Sequence, residues 1–439
     1  MGRDAVRRTV AACLTAALVA APAFADWLGL RGDGTGRSDE VDLPLTWDET
    51  AGDTAAIAWK TPLPGRGHSS PVVVGGHVFL TTAYGDARDP VAETRDAAPS
   101  LRLLVIDLAT GALLHDLELF DPDAWQADHP DNGYASPTPA ANADGHRLCV
   151  HFGTYGTSCL ALDVEAAEPP QILFRGQPFP QEHEVGPGSS PVIWQDRMIV
   201  LCDATDSQYV AALEVETGDL LWRLDRRDTA ARKPPHRKAF STPLVFRYGP
   251  HWRVLATGAT GTSAIDPTTG EELWWIRHEG YSNVPMPVVG LGHAFVNTGY
   301  MKPHLLAVRL GGSGDVGDTH LAWSYHWQVS ANPTPLLIDR RLFMVSDWGI
   351  ASWLDPLRGD DLWRHRLKGK FRASPLFADG RIYTWSVDGE TVVIEPGDAY
   401  HELARNRLDG AIRATPAISD GSIVVRTDRH LVRLRRPRP

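Results

Sequence analysis

Cysteine is scarce in this chain: four among 439 residues, with no adjacent pair and no CxxCH step that would attach a haem. Positive charge is also in short supply. Lys and Arg number 43 against 54 Asp and Glu, a formal net charge of −11, which argues against sequence-independent nucleic-acid binding. The one basic run, Arg433, Arg435, Arg436 and Arg438, reads as a solvated end. No heptad and no long amphipathic helix occurs, and the apolar stretch Thr9–Ala21 is too short for a comfortable membrane span. The chain also lacks a G-x-S-x-G elbow, an H-E-x-x-H pair and a phosphate-binding glycine loop, so the common hydrolytic and nucleotide templates have nothing to rest on.

Turn formers and tryptophan are abundant instead. Forty Gly and 33 Pro are spread along the whole chain, 43% of residues are apolar, and 15 are Trp, a composition of many short strands around a substantial core. The stretch SAIDPTTGEELWW (263–275) shows the unit: a strand ending at Ile265, a turn built on Asp266, Pro267 and Gly270, and a strand carrying Trp274. AALEVETGDLLW (211–222) and SWLDPLRGDDLW (352–363) repeat it, LVIDLATGALL (104–114) loses the Trp, and 161–174, 307–323 and 393–403 are degraded forms. A second signature, a Ser/Thr-Pro step opening an apolar strand, recurs at Pro71, Pro139, Pro191, Pro243, Pro287, Pro335, Pro375 and Pro416. The later spacings suit a four-stranded propeller blade. The last unit stops one strand short, and AIAWKTP (56–62), with Trp59 where the repeat wants it, supplies the missing strand. The expected fold is therefore all-β: an eight-bladed propeller of four-stranded antiparallel blades, closed by its N-terminal strand.

Three segments are expected: 1–25, 26–55 and 56–439. Arg3, Arg7 and Arg8, the apolar run and Ala23-Phe24-Ala25 make the first a signal peptide cleaved near Ala25, which places the mature chain in the periplasm or outside the cell. The second is an extended arm packed down by Trp27 and Trp47; its Arg31-Gly32-Asp33 triplet is read as coincidence. The third is the propeller. Within it Cys149 and Cys159 flank the turn at 153–157; they are either a disulfide, if the strands pair them closely, or two buried thiols, and Cys202 is a core residue.

The paired hairpins SAIDPTTGEELWW and AALEVETGDLLW resemble the tryptophan-docking repeat of quinoprotein-type propellers, with Trp59, Trp222, Trp274 and Trp363, and Gly218 and Gly270, as docking residues. WLGLRGDGTG (27–36), WKTPLPGRGHSSPVV (59–73), YASPTP (134–139) and GPGSSPVI (186–193) are similar to secreted PQQ-like repeat proteins of planctomycete-type bacteria, which are likened to the assembly factor BamB. One branch of that resemblance implies a PQQ-dependent dehydrogenase, with a vicinal Cys-Cys ring, a Trp floor under the quinone, calcium on Glu and Asn, and a catalytic Asp. The Cys-Cys step is missing, so no catalytic, cofactor-binding or metal residue is assigned; PQQ with calcium stays as the alternative.

Three residues before each repeat proline stand His68, Ser136, Gly188, Phe240, Val284, Asn332, Arg372 and Arg413, a ring that should border the axial channel. Its basic members belong to adjacent blades, with Arg66 and Lys370 two residues upstream. They either form a cationic sector able to hold an anionic group or acidic partner segment, or bond blade carbonyls and acidic loops. His129, Asp131 and Asn132, and His183 with Glu184, sit in loops around one mouth; Asp203 and Asp206 are ordinary turn residues. The expectation is a monomeric, non-catalytic, exported scaffold, BamB-like, presenting its rim or channel mouth to a protein or an extracellular polymer. The alternatives are the quinoprotein enzyme and a carbohydrate-binding propeller using Trp125, Tyr155 and Trp348.

Overall fold

A computed structural model describes residues 25–227 and 232–437; the expected signal peptide, apart from Ala25, lies outside them. The hydrogen-bonded strands form eight separate sheets. Blade 3 shows the plan: Val192–Trp194 lines the axis, followed outward by Arg197–Asp203, Gln208–Glu214 and Leu220–Asp225, each antiparallel to the last. Inner strands are short and the second and third strands nearly all buried, because both faces of each sheet are covered by neighbouring blades. Blade 8 is the composite: Ile57–Pro62 pairs antiparallel with His430–Arg435, Trp59 opposite Arg433 and Pro62 opposite His430. Pairing the two chain ends leaves the ring without an open edge.

One sheet departs from the four-strand plan. Blade 4 carries a fifth strand, Gly314–Asp315, which runs parallel to Glu272–Arg277 with Gly314 opposite Trp274. It comes from the long outer connection of blade 5, the segment that reads as a degraded hairpin. Trp274 and Val316 share one core cluster with Val308 of blade 5, so this segment is packed in at the blade 4–5 interface.

Between the other blades the docking motif works across interfaces. The Trp222 indole donates from Nε1 to the carbonyl of Pro267 in the next blade's turn at 2.9 Å. Its ring lies on Gly270, where an added Cβ would come within 2.7 Å of Trp222 and where φ is +76°. Trp59 docks likewise on Gly111 and the Leu108 carbonyl (2.8 Å), Trp323 on Gly359 and the Pro356 carbonyl (3.1 Å), and Trp363 on the Gly397 carbonyl (2.9 Å). Gly218 receives Phe174 instead of a Trp. The Trp and Gly of one hairpin thus serve two different interfaces. Trp323 and Phe174 occupy ring positions that the degraded repeats conceal.

The repeated Ser/Thr-Pro step has its own role. The Ser70 N–H donates to Thr138 Oγ1 (2.9 Å), the Thr138 N–H to Ser190 Oγ (2.9 Å) and the Ser190 N–H to Thr242 Oγ1 (3.1 Å). Across the ring Met286, Thr334 and Ser374 donate in the same way to Thr334, Ser374 and Thr415. Inner strands are splayed too far apart to share a ladder, so side-chain hydroxyls accept the backbone hydrogens that would otherwise be orphaned.

The ring has two unlike faces. His77 pairs with Asp107 at one end of blade 1 and Tyr84 with Ser100 at the other, so the docking turns lie at the His77 end and the loops entering each inner strand at the Tyr84 end. Residues 25–49 cross the first face. Trp27 exchanges backbone bonds with Val73, Leu28 accepts from Ala141, Ser38 donates to Phe377, and Trp47 donates to Asn406 Oδ1. Trp27 and Trp47 are buried. Arg31 is wholly buried beneath this arm and donates to the carbonyls of Thr35 and Pro335, so although Asp33 is exposed the arginine of the Arg-Gly-Asp triplet is not presented to solvent. Desolvation holds its guanidinium down to about 9. Cys149 and Cys159 are in register and joined by a disulfide, with Cα atoms 4.1 Å apart, deep in blade 2. Cys202 is a buried free thiol. No helix of the described residues is long and apolar enough to cross a membrane.

Candidate functional site

The axial channel is a cavity of about 470 Å³, and all eight ring positions read from the repeat line it: His68, Ser136, Gly188, Phe240, Val284, Asn332, Arg372 and Arg413. One register step below lies the hydroxyl belt, and Leu30 of the crossing arm also lines the cavity. The cavity is therefore closed by the chain on the docking face and reached from the other.

Its walls are two-sided. Arg372 and Arg413 stand on blades 7 and 8. Opposite, Phe240 and Val284 on blades 4 and 5 are joined by Tyr281 and Tyr300, whose rings meet edge to face at 5.9 Å. Lys238, hidden from the repeat because it sits in a connecting loop, adds a cation there. It is 5% exposed and ion-paired with Glu184.

The expected basic sector needs correcting in detail. His68 lines the cavity, but burial and the guanidiniums of Arg66, Arg413, Arg426 and Arg88 hold it well below the ordinary imidazole range, so it is neutral near pH 7. Arg372 is committed: it donates to Asp347 Oδ1 (3.1 Å) and reaches Asp131 Oδ2 (3.4 Å) of the loop before blade 2. Arg66 bonds Asp86 (2.8 Å) and the Asn132 carbonyl (2.6 Å), fastening the mouth loop to blade 1. Lys370 is exposed and lies 5.6 Å from the centre of the Trp348 ring, away from the cavity. Arg413 alone matches the expectation. It is half-buried, lines the cavity and has no hydrogen bond or ion pair among the described residues; burial, the largest influence, lowers its pKa, with Asp131 and Asp428 acting against that.

The loop residues divide in the same way. Asn132 donates to the carbonyls of Val185 (2.8 Å) and Pro187 (3.1 Å) while accepting from Ser136, so it ties two connecting loops together. His129 lines the mouth and accepts the Asp131 N–H at Nδ1 (3.1 Å). His183 is not a cavity residue. Its Nε2 accepts the Thr154 N–H at 3.1 Å, and burial pushes it down to about 4, an acceptor and not a proton shuttle at neutral pH. Asp203 is no ordinary turn residue: it is buried against Arg226 at 3.3 Å, and desolvation raises its carboxyl to about 6 despite that partner. Trp125 stacks on Tyr134 at 4.1 Å and meets Tyr155 edge-on, so these rings are packing groups; Trp348, 61% exposed with Lys370 beside its ring, is the solvent-facing one of the three.

These residues do not fit a quinone held on calcium. The cysteines are neither vicinal nor at the channel, and no tryptophan lines the cavity. Its two asparagines are spent, Asn132 on loop carbonyls and Asn332 on Asp347, and its one carboxylate, Asp131, faces Arg372. Among the described residues no group of three or more His, Cys, Asp or Glu side chains is placed to hold a metal ion.

An eight-bladed ring with rings docked on glycines is the architecture of the PQQ-like repeat class. The sequence matches the family described as outer membrane protein assembly factor BamB (PQQ_2) over residues 205–346, 312–400 and 347–436, just over half of the chain. The protein belongs to that family. Among solved structures, BamB from Moraxella catarrhalis superposes with a TM-score of 0.55 at 12% identity, covering 79% of this chain and 92% of that one. Quinohemoprotein alcohol dehydrogenase from Comamonas testosteroni superposes with a TM-score of 0.64 at 11% identity, covering 94% and 81%. At such identities the likeness is one of fold. No curated protein sequence matches the chain.

Proposed function

We propose that this protein is a non-catalytic binding propeller, a BamB-like scaffold that takes an acidic segment of a partner protein into the open mouth of its channel. The observation that carries this reading is Arg413: a half-buried guanidinium facing a cavity, with neither a hydrogen bond nor an ion pair among the described residues. Arginine stays protonated even when partly desolvated, and a cation so placed favours a carboxylate that brings the missing hydrogen bonds. The aromatic wall opposite gives the apolar part of such a segment a surface to cover. An exported protein, with processing near Ala25, is the setting that suits an assembly scaffold.

The test is binding of a glutamate-rich peptide by purified protein, with Arg413→Gln and the double variant Arg372→Gln, Arg413→Gln beside the parent. The reading requires affinity that falls with added salt and drops at least about tenfold in the double variant. Unchanged affinity would sink it. PQQ with calcium, or an oligosaccharide, is added in parallel; a saturable absorbance change with thermal stabilisation by the quinone would replace this proposal with the cofactor-binding one.

A further inference from the structure

The docking position can be followed around the ring by register. Each outer strand has one residue opposite the third strand just before an irregularity: Phe174, Trp222, Trp274, Trp323, Trp363 and Trp59 in blades 2 to 6 and 8. Two blades lack a large ring there. Blade 7 has Ala404, which packs against the core cluster that contains Trp47 of the crossing arm. Blade 1 has His115, opposite Val105.

At blade 1 no large ring takes the position, and only Val164 of the opposite turn reaches across, onto Gly75. A groove of about 360 Å³ opens between blades 1 and 2, lined by Phe79, Val105, Leu114 and His115 on one side and the turn Asp163–Glu168 on the other. Leu114 lines it and is 43% exposed, much as Leu221 and Leu362 are at the same position before Trp222 and Trp363, so what sets blade 1 apart is the missing ring itself. The turn across the groove is also longer than its equivalents: 11 residues separate Leu160 from Ile172, where six separate Leu213 from Leu220. It carries no glycine and three carboxylates, Asp163, Glu165 and Glu168; Asp163 Oδ1 accepts the Glu165 N–H at 3.2 Å, and none of the three is ion-paired among the described residues.

We propose that this groove is a second docking site, whose occupant is a tryptophan flanked by basic residues in a segment of a partner protein. The repeat identifies the ring: at four other interfaces a tryptophan enters from the preceding blade and donates its indole N–H to a turn carbonyl of the next. The three carboxylates of the turn select the flanking charge. The site is on the rim, apart from the channel mouth, and stands independently of the reading given for Arg413.

The probe is a fluorescein-labelled Lys-Leu-Trp-Lys peptide, with its Trp→Ala and Lys→Glu counterparts, titrated onto the full protein. The Trp peptide should bind saturably, and each counterpart should bind at least about tenfold more weakly, as expected for a buried aromatic anchor. His115→Trp supplies the ring from within, so it should raise the melting temperature and abolish peptide binding. Should that variant fail to fold, the surface pair Glu165→Lys, Glu168→Lys should weaken binding at least about tenfold with the fold intact. The proposal is overturned if the peptide does not bind, if Trp→Ala binds equally well, or if neither protein variant alters its affinity.

Discussion

On the face crossed by residues 25–49, blades are joined by rings lying on turn glycines and by indole and backbone hydrogen bonds to carbonyls. On the face where the channel opens, buried guanidiniums cross between blades, Arg226 to the Ala256 carbonyl and Arg426 to Ser69 and Thr81, while buried imidazoles bond within a blade, His151 to Thr157 and His278 to Thr262. The first kind of contact is indifferent to pH and salt, whereas the second depends on protonation states that burial has displaced.

The contrast is broken most severely by Trp47→Ala. Emptying the space of a side chain that is 2% exposed should cost about 3–5 kcal/mol in urea unfolding. The loss should be the same at pH 7 and pH 5. A pH-dependent loss would show that the crossed face also relies on titrating groups.

Acid should act through the open face. Burial pushes His151 and His278 down to about 3. Below the unfolded-state value the unfolded chain takes up protons that the folded one refuses, so their stabilisation is present above that value and lost as pH falls toward the folded one. By pH 5 each costs about 2 kcal/mol. Asp203 opposes them, because a carboxyl raised to about 6 favours the folded state as pH falls through that value, but only by about 1 kcal/mol at pH 5. These three groups together give a net loss of about 3 kcal/mol from pH 7 to pH 5, the depressed His68 and His183 add to it in the same direction, and His278→Gln should remove about 2 kcal/mol of the slope. A flat profile would end the distinction between the faces.

A smaller effect is expected between them, in the hydroxyl belt. Thr138→Val removes the acceptor of the Ser70 N–H and leaves a buried donor unpaired, a cost of about 1–3 kcal/mol measurable as a shifted urea midpoint. Smallest of all should be Arg413→Gln, within about 0.5 kcal/mol of the parent because it breaks no bond among the described residues, while binding of the acidic peptide weakens. A large destabilisation there would make Arg413 a structural residue and weaken its assignment to the mouth.

Much of this was legible in the chain itself. The Ser/Thr-Pro steps place eight inner strands, and counting back from each proline finds the eight channel residues, because an inner strand in a radial repeat holds the same distance from the axis in every blade. Charge at those positions was less legible. Arg372 and Arg413 are alike in sequence, yet Asp347 and Asp131 occupy one and not the other. Both acids reach their partner from segments distant in the chain, and Asp131 does so from 241 residues away. Lys238 gave no signal, since it belongs to a connection and not to a repeat.

Local periodicity fixes which residues turn, extend and face inward, since those preferences act over a few neighbours; hence the number of blades, their closure by the first strand and the lining of the channel follow from order along the chain. Which rings cross to the next blade, which guanidinium keeps a free hand, whether His68 carries charge, and which gap stays unfilled depend on groups brought together across the ring. Desolvation and pairing act through space, and only the closed ring sets those distances.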